Sequence, residues 1–320
     1  MHRKDTEILR IPKLRDESMN LLYIRIVDEH RLFISIMCKY FMLRISFFIF
    51  LVALSSCGTV QIYEDPNNPV YLSNDINSVS PVNDSLVVMI FNIEKSEKIE
   101  LAISELKAFE STLPVDIYLL QEMDEKGVKV IARELKLNYL YMPNVHYKMR
   151  DQDIGNAILA RGSIRNPMKL VLPHKKWVNG RKRNVTIGEV IIRNKSVLVY
   201  SVHTETSTMG RKKRMDQWDA IIEHARVRSG QYKYTVIGGD FNTLFSKDAK
   251  LVVQKFDTAG FQCATAGTGY TARALYGLVK PTEDHIFGSG FQVLSSGKID
   301  SSKASDHLPV YAVFRGAVGR

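Results

Sequence analysis

Polar side chains stand at five places in this chain where an apolar run ends. These runs, of which Leu86 to Asn92 is the first, have the composition of buried strands, so a carboxylate or imidazole at the end of one lies at the rim of a core. Open α/β sheets place their binding residues at that edge. Five such ends in order indicate a single site. The residues are Asn92, Glu122, His203, Asp240 with Asn242, and Asp306 with His307.

Asn92 and Glu122, the first two of these residues, have the chemistry of a magnesium site. Mg²⁺ prefers oxygen ligands and keeps several of its waters, so a protein site needs only one or two carboxylates beside a substrate phosphate. Glu122, preceded by Gln121 and expected to face Asn92, supplies such oxygens. The alternative for Glu122 is a cap on the helix that is predicted to begin near Glu125.

Asp240 and Asn242 follow a pair of glycines at the end of another apolar run. Glycine lets the backbone approach a ligand closely, and side chains two residues apart point the same way if a strand continues. An Asx-type turn explains the same spacing and is compatible with a site. Asp306 and His307 are typical of a surface turn, but the apolar run that begins at Val310 places them at the mouth of a buried strand.

Strand-like and helix-like segments alternate through most of the chain. The run from Asp116 to Glu122 repeats the strand pattern of Leu86 to Asn92. Three strand-like runs between Gly155 and Thr204 have no helical segment between them, which indicates antiparallel pairing. The pattern therefore predicts an α/β fold with mixed sheets. Helices are predicted over residues 99–109, Glu125 to Leu135, Arg211 to Arg228 and Lys247 to Ala259.

The composition fits one folded domain with an export segment. The chain of 320 residues is 45% hydrophobic and 24% charged, which allows a large core and excludes a broadly disordered protein. One α/β domain can reach about 250 residues. The first 56 residues hold nine Lys/Arg and six Asp/Glu, so +7 of the formal net charge of +10 lies on the remainder. A basic body of this kind favours an anionic partner.

The apolar run from Ile45 to Leu54 predicts the central region of a signal peptide. It is shorter than the about 20 residues that span a bilayer, and the basic residues Lys39 and Arg44 precede it. The four residues that end at Cys57, Leu-Ser-Ser-Cys, resemble a bacterial lipoprotein signal, in which Cys57 becomes the lipidated first residue. A core helix and an ordinary cleaved signal are the alternatives.

We therefore expect four segments. Residues 1–36 are interpreted as an upstream overcall of the start, with translation beginning at Met37 or Met42, and residues 37–56 as the lipoprotein signal peptide. Residues 57–83, rich in Asn, Pro, Ser and Asp, predict a flexible tether, and residues 84–316 are expected to form the catalytic domain.

The mature protein would be anchored in a membrane through Cys57, facing the periplasm or the cell exterior. Cys263 alone would remain as a thiol, so neither a disulfide framework nor structural zinc is expected, and no obligate protein partner is evident.

Seven short motifs resemble, in order, those of the endonuclease/exonuclease/phosphatase superfamily, the DNase I-like proteins, over roughly residues 86–315. The resemblance implies a four-layer α/β sandwich, with two facing mixed β-sheets flanked by helices. It also implies hydrolysis of phosphate esters with a divalent metal, usually Mg²⁺, with Mn²⁺ and Ca²⁺ as alternatives. The motifs are Phe91-Asn92, Leu120-Gln121-Glu122, Gly155-Asn156-Ala157-Ile158-Leu159, Ser201-Val202-His203, Gly238-Gly239-Asp240-Phe241-Asn242, Asp284-His285-Ile286-Phe287 and Ser305-Asp306-His307-Leu308-Pro309-Val310.

By this resemblance, part of the matched set binds the metal and the substrate. Asn92, Glu122 and Asp306 would hold the metal ion. Asn156 would line the substrate pocket, and Arg183, in a basic turn, would contact the anionic substrate.

The other matched residues would carry out the hydrolysis. Asp240 would orient or deprotonate the attacking water, and Asn242 would hold the phosphate. His203 would contact the phosphate or the leaving-group oxygen. His307 would act on the scissile phosphate while a hydrogen bond to Asp284 sets its tautomer.

The sequence leaves the substrate open. Nucleases, sphingomyelin or phospholipid phosphodiesterases and inositol-phosphate phosphatases of this superfamily share these residues and differ in their loops. Basic clusters at residues 169–183 and 211–214 favour a polyanion, although a solvated face explains them equally. Trp177, in the first cluster, is suited to stacking on a base or touching a membrane interface. The charge favours a nuclease-like phosphodiesterase, and a catalytically inert polyanion-binding lipoprotein is the alternative from another class.

Overall fold

The computed structural model describes residues 60–76, 84–177 and 180–316. Segment 1–36, the signal peptide 37–56 and Cys57 lie outside the described residues, and so do residues 77–83 of the expected tether. Within the described ranges, no helix is long and apolar enough to cross a membrane.

Strands and helices alternate as the sequence predicts. The strands in the described ranges are β1 (Val60–Ile62), β2 (Tyr71–Ser73), β3 (Ser85–Asn92), β4 (Ile117–Met123), β5 (Asn138–Tyr147), β6 (Gln152–Ala160), β7 (Ser163–Val171), β8 (Asn184–Ile192), β9 (Lys195–His203), β10 (Tyr234–Asp240), β11 (Gln262–Cys263), β12 (Asp284–Ser289), β13 (Phe291–Lys298) and β14 (Val310–Gly316). The helices there are α1 (Ile99–Glu110), α2 (Glu125–Leu135), α3 (Arg211–Ser229) and α4 (Ser246–Thr258).

The strands form two mixed sheets. Sheet A has the order β1-β5-β6-β4-β3-β14-β13, with β2 also paired to β5, and sheet B has the order β11-β12-β10-β9-β8-β7. In each sheet one pair is parallel, β3 with β4 and β9 with β10, and these pairs are joined by a helix. Parallel neighbours require such a crossover, whereas the antiparallel neighbours are joined more directly.

Three apolar clusters show that the molecule has four layers. In β3, Val87, Met89 and Phe91 belong to a cluster with α1 and α2, whereas Val88 and Ile90 belong to a cluster shared with sheet B. This alternation follows from the two-residue period of a strand. A third cluster packs sheet B against α3 and α4. The order is therefore helices, sheet A, sheet B, helices, and the predicted four-layer sandwich is confirmed.

Part of the expected tether belongs to the sheet. β1 pairs with β5 through Val60 and Tyr147, and β2 pairs with β5 through Tyr71 and Tyr141. The prediction of a flexible tether is wrong for these two strands. Turn residues exclude a long central strand, but strands of three residues between those turns still pair with an open sheet edge.

The middle of the chain holds four strands, β6 to β9, where three apolar runs were predicted. β7 has an interrupted apolar pattern because it is an edge strand, with exposed polar residues and Pro167 inside it. Its register with β8 shifts between Arg165 and Met168. Proline and a bulge are tolerated at the edge of a sheet, where they interrupt the apolar pattern.

Two adjacent glycines let β10 pass through the crowded centre of the molecule. A Cβ on Gly238 would lie 2.9 Å from side-chain atoms of both Ile90 and Leu119, which belong to sheet A. Gly239 has φ of +144°, and a Cβ there would lie 2.0 Å from the carbonyl oxygen of Val202 in β9. The strand that ends in Asp240 therefore requires glycine for two separate reasons.

We expect Gly239→Ala to destabilise the protein by about 2 kcal/mol or more, because the added Cβ combines an unfavourable φ with overpacking. Gly230→Ala is the matched control, since Gly230 has φ of −64° and open space around its Cα. Urea-induced unfolding of both variants measures the difference. Equal midpoints for the two variants would contradict this account of β10.

Candidate active site

Register pairing places the polar strand ends next to one another. In sheet B, Asp240 is paired with His203 on one side and with Asp284 on the other. In sheet A, Asn92 is paired with Gln121 at the ends of β3 and β4. Each sheet therefore contributes a row of polar residues at one edge, where the parallel pairs β3–β4 and β9–β10 end and the antiparallel strand β12 begins.

Hydrogen bonds join the two rows across the sandwich. The Nδ2 atom of Asn92 donates to Oδ2 of Asp240 over 3.0 Å. Further from the rim, between the same two sheets, Nε2 of Gln121 donates to the hydroxyl of Ser201 over 3.0 Å. The four side chains are buried, so these bonds replace lost water contacts and set the relative position of the two rows.

His203 is held as a neutral imidazole. A guanidinium nitrogen of Arg183 donates to its Nδ1 over 3.1 Å, so the ring proton lies on Nε2, which is 3.4 Å from Oδ2 of Asp240. Burial lowers the pKa of His203 well below its ordinary value, and the cations Arg183 and Arg181 lower it further. His203 is therefore a hydrogen-bond donor toward the site at neutral pH.

His307 has the opposite electrostatic environment. Its Nδ1 donates to Oδ2 of Asp284 over 2.8 Å, and the hydroxyl of Thr271 donates to the same oxygen over 2.7 Å. Burial alone would lower the pKa of His307, but the charges of Asp284 and Asp240 raise it well above its ordinary value. Its Nε2 lies 3.8 Å from Oδ2 of Asp240. The predicted orientation of His307 by Asp284 is present in the structure.

Asp240 is a buried carboxylate that ionises near neutral pH. Burial raises its pKa to about 7, although His307 and the backbone N–H of Asn242 oppose the rise. That N–H donates to Oδ1 of Asp240 over 2.7 Å, which is the Asx turn weighed from the sequence. Asn242 has φ of +51°, and its Nδ2 donates to the carbonyl of Thr204 over 2.9 Å. The turn and the site thus exist together.

Glu122 lies in a bulge of β4. The register of β4 with β6 shifts between Leu120 and Met123, and Glu122 has φ of +55°. Its carboxylate lies 3.8 Å from Nζ of Lys95 and 3.9 Å from Nε2 of His203. The cap of α2 is Asp124, which accepts from the N–H of Gly127 over 2.7 Å. The capping alternative for Glu122 is therefore wrong, and the bulge turns its carboxylate toward the site.

These side chains surround a small cleft with a volume of about 140 Å³. Asp284 lies behind His307 rather than in the wall. Asn156 is buried outside the lining, where its amide donates to the carbonyl of Asn184 over 2.8 Å. The lining residues are Asn92, Glu94, Lys95, Glu122, Arg183, His203, Thr206, Asp240, Asn242, Asp306 and His307.

The oxygen atoms of the cleft suit a hard cation. Glu122, Asn92 and Asp306 all line it. Among the described residues, no group of three or more His, Cys, Asp and Glu side chains is arranged to hold a metal ion. A Mg²⁺ site needs only one or two carboxylates and several waters, and the donor set of the cleft fits such a site.

Sequence reasoning missed Glu94 and Lys95 as cleft residues. They belong to a short turn over Glu94–Ser96 whose three residues all have positive φ, from 34° to 60°. Non-glycine residues rarely adopt this conformation, and it clusters at functional sites. The sequence carries no glycine or proline there, so it held no signal for the turn.

Some side chains of the basic cluster at residues 169–183 point into the protein, whereas others point into solvent. Arg181 donates to Glu205 over 2.8 Å, and Nε of Arg183 lies 3.7 Å from the other oxygen of Glu205. Burial opposes ionisation of Glu205, yet Arg183 and Arg181 lower its pKa to about 2. Glu205 therefore holds in place the guanidinium that bonds His203.

The second basic cluster supports the site from behind. Arg214 is buried and ion-paired with Asp248 of α4, and it also donates to the carbonyl of Asn242 over 3.1 Å. Its guanidinium lies 5.7 Å from the centre of the Trp218 ring. Arg214 is thus a positioning residue for the turn after β10, and not the substrate contact that its place in a basic cluster suggests.

A model of the Endonuclease/Exonuclease/phosphatase family matches residues 89–307. The chain belongs to this family. The matched range begins in β3 and ends at His307, so it contains every residue assigned above to the cleft. No curated protein matches the chain.

Solved structures with the same fold include three from different organisms. An endonuclease/exonuclease/phosphatase from Beutenbergia cavernae is 18% identical, covers 73% of this chain and 72% of its own, and has a TM-score of 0.58. A family member from Bacteroides thetaiotaomicron is 17% identical over 73% of this chain and 98% of its own, with a TM-score of 0.55. D. rerio TDP2, complexed with a single-strand DNA product, is 16% identical over 73% and 100%, with a TM-score of 0.59. At these identities the likeness shows the fold.

We expect Glu205→Gln to lose about 3 kcal/mol of stability at neutral pH, from the fall of its pKa from 4.5 to about 2. A lowered folded-state pKa stabilises above the unfolded value of 4.5, and this contribution disappears as the pH falls toward 2. Thermal unfolding between pH 7 and pH 2.5 should show the two proteins converging in acid. Glu64→Gln is the control, because exposed ion pairs contribute about 0 to 1 kcal/mol. A difference that stays constant over this pH range would contradict the assignment.

Proposed function

We propose that this protein is a metal-dependent phosphodiesterase of the nuclease type, which hydrolyses its substrate by in-line attack of water. The observation that carries the proposal is the meeting of Asp240, His203 and the His307–Asp284 pair in one cleft beside Glu122. An ionisable carboxylate with a neutral imidazole at 3.4 Å and a protonated imidazole at 3.8 Å is a set of acid, base and charge-stabilising groups.

Each group has a role that follows from its environment. Asp240, with a pKa near 7, accepts a proton from the attacking water. His307 is protonated and donates to the phosphate oxygens as negative charge grows on them, while neutral His203 adds a second donor. Glu122, Asn92 and Asp306 would hold the metal ion, which as a Lewis acid would neutralise the same charge. Burial of the site strengthens all of these interactions.

The charge of the chain favours a polyanionic substrate. The residues beyond residue 56 carry a formal charge of +7, and Lys95 and Arg183 line the cleft beside its carboxylates. D. rerio TDP2, which has the same fold, is seen with a single-strand DNA product. We therefore place nucleic acid first among the substrates.

A phospholipid headgroup is the second candidate. Leu275 and Leu278 are 68% and 86% exposed. They lie in the loop that follows Ala272, which forms a bridge with His307. Exposed aliphatic side chains close to a phosphate site are what a hydrolase of a lipid surface requires.

We expect the protein to release nitrophenol from bis-(p-nitrophenyl) phosphate with Mg²⁺, and EDTA to abolish the reaction. His307→Ala should lower kcat by about 10²- to 10⁴-fold, the usual contribution of a general acid or base. His146→Ala is the matched control, because His146 also bonds an aspartate, Asp153, over 2.9 Å but lies outside the cleft. Turnover that is indifferent to EDTA or to His307 would refute the mechanism. Incubation of the protein with plasmid DNA and, separately, with sphingomyelin vesicles then distinguishes the two candidate substrates. Cleavage of sphingomyelin while the plasmid stays intact would place the phospholipid ahead of nucleic acid.

We also propose that the enzyme is a lipoprotein anchored through Cys57 and facing the periplasm or the exterior. The support is the basic and apolar pattern of residues 37–56 before Leu-Ser-Ser-Cys. Cells fed radiolabelled palmitate should label the full chain, and Cys57→Ser should abolish the label. Equal labelling of the two proteins, or none in either, would remove the anchor from the proposal.

A further inference from the structure

One tryptophan of this chain is almost fully exposed and lies six residues before Arg183, which lines the cleft. Trp177 is 95% exposed, whereas Trp218 is fully buried in the cluster between sheet B and its helices. A large aromatic side chain gains more from burial than most others, so one left in solvent indicates a surface that meets a partner.

Described residues on either side of Trp177 are joined by backbone hydrogen bonds. The N–H of Lys176 donates to the carbonyl of Arg181 over 2.8 Å, and the N–H of Gly180 donates to the carbonyl of Lys176 over 2.8 Å. Below them, the N–H of Leu172 donates to the carbonyl of Arg183 over 2.9 Å. These backbone hydrogen bonds join the two chain segments that precede and follow Trp177.

The base of this turn is part of the active site. Arg183 lines the cleft and donates to His203. Two residues of chain, at most about 7 Å, separate it from Arg181, which closes the turn beside Trp177. Arg181 is anchored by Glu205 and by the hydroxyl of Tyr147, at 2.8 and 3.1 Å. Trp177 is therefore connected to the cleft through the backbone pair of Lys176 with Arg181 and the two residues between Arg181 and Arg183.

The charges around the turn match a phosphate backbone. Lys175 and Lys182 lie 2.7 and 3.2 Å from the carboxylate of Glu64, and Lys176 lies 3.7 Å from Glu205. Two acids thus face five bases, so the turn keeps a positive balance that attracts a polyanion. The bases are Lys175, Lys176, Arg181, Lys182 and Arg183.

We infer that Trp177 is a stacking platform for a base of single-stranded nucleic acid whose scissile phosphate lies in the cleft. The inference rests on the proposed nuclease function and names its substrate class. An exposed indole beside a basic track is the arrangement that binds single strands, because any unpaired base offers a face on which to stack. A base inside a duplex is already stacked on its neighbours, so single strands and frayed ends are preferred over intact duplex.

The position of the two tryptophans makes the inference directly measurable. The full-length protein is titrated with oligothymidylate in EDTA, so binding is observed without hydrolysis. Stacking of a base on Trp177 should quench the exposed component of the fluorescence, while the buried Trp218 remains unaffected. Trp177→Ala should weaken binding of a dye-labelled oligothymidylate about 5- to 100-fold, and Trp177→Phe should retain most of the affinity.

Val227→Ser is the matched control, because it removes a 67% exposed apolar side chain from the last turn of α3, outside the cleft. Its oligonucleotide affinity should equal that of the unmodified protein. Unchanged affinity in Trp177→Ala would overturn the inference. So would a blue shift of Trp177 emission with phosphatidylglycerol vesicles and no quenching by oligothymidylate, which would assign the turn to a lipid surface. Because these readouts need no turnover, failure of bis-(p-nitrophenyl) phosphate hydrolysis would count separately against the proposed function.

Discussion

The hydrogen bond between Asn92 and Asp240 joins the ends of the two sheets, and the site depends on this junction. Neither sheet contains a complete set of groups, since Glu122 and Asn92 come from sheet A whereas His203 and Asp240 come from sheet B. The apolar layer between the sheets brings the two rows together, and the buried hydrogen bond sets their spacing. Gly238 contributes by leaving room for Ile90 and Leu119 of the facing sheet.

Burial at this junction separates the proton affinities of neighbouring groups. The same removal from water raises the pKa of Asp240 and lowers that of His203, while paired carboxylates raise that of His307. Three groups close to one another thus carry different charges at neutral pH. Two charged neighbours maintain the difference, because Asp284, behind the cleft, stabilises one imidazolium, whereas the cation Arg183, in the cleft wall, disfavours the other.

Strained backbone is concentrated where side chains must turn into the cleft. Glu122, Asn242 and Lys95 all have positive φ although none is glycine. Each is stabilised by its surroundings: Glu122 by the bulge of β4, and Asn242 by bonds to Asp240, Thr204 and Arg214. Such conformations persist only when packing and hydrogen bonds outweigh their cost, which explains why a buried arginine lies behind the loop.

The sequence by itself determined the alternating strands and helices and the strand ends, because local apolar periods record which side chains are buried. They predicted α2 at Glu125–Leu135 and placed Asp240 and His203 at the rim, whereas the four layers were implied by the resemblance of the motifs to a known family. Only the tertiary structure decided which polar residues meet. Arg214 and Trp177 both occur in basic stretches, yet one is buried behind Asn242 and the other is exposed. β1, β2 and the turn at Lys95 likewise depend on partners far along the chain, and contacts between distant segments leave no periodic trace in either one.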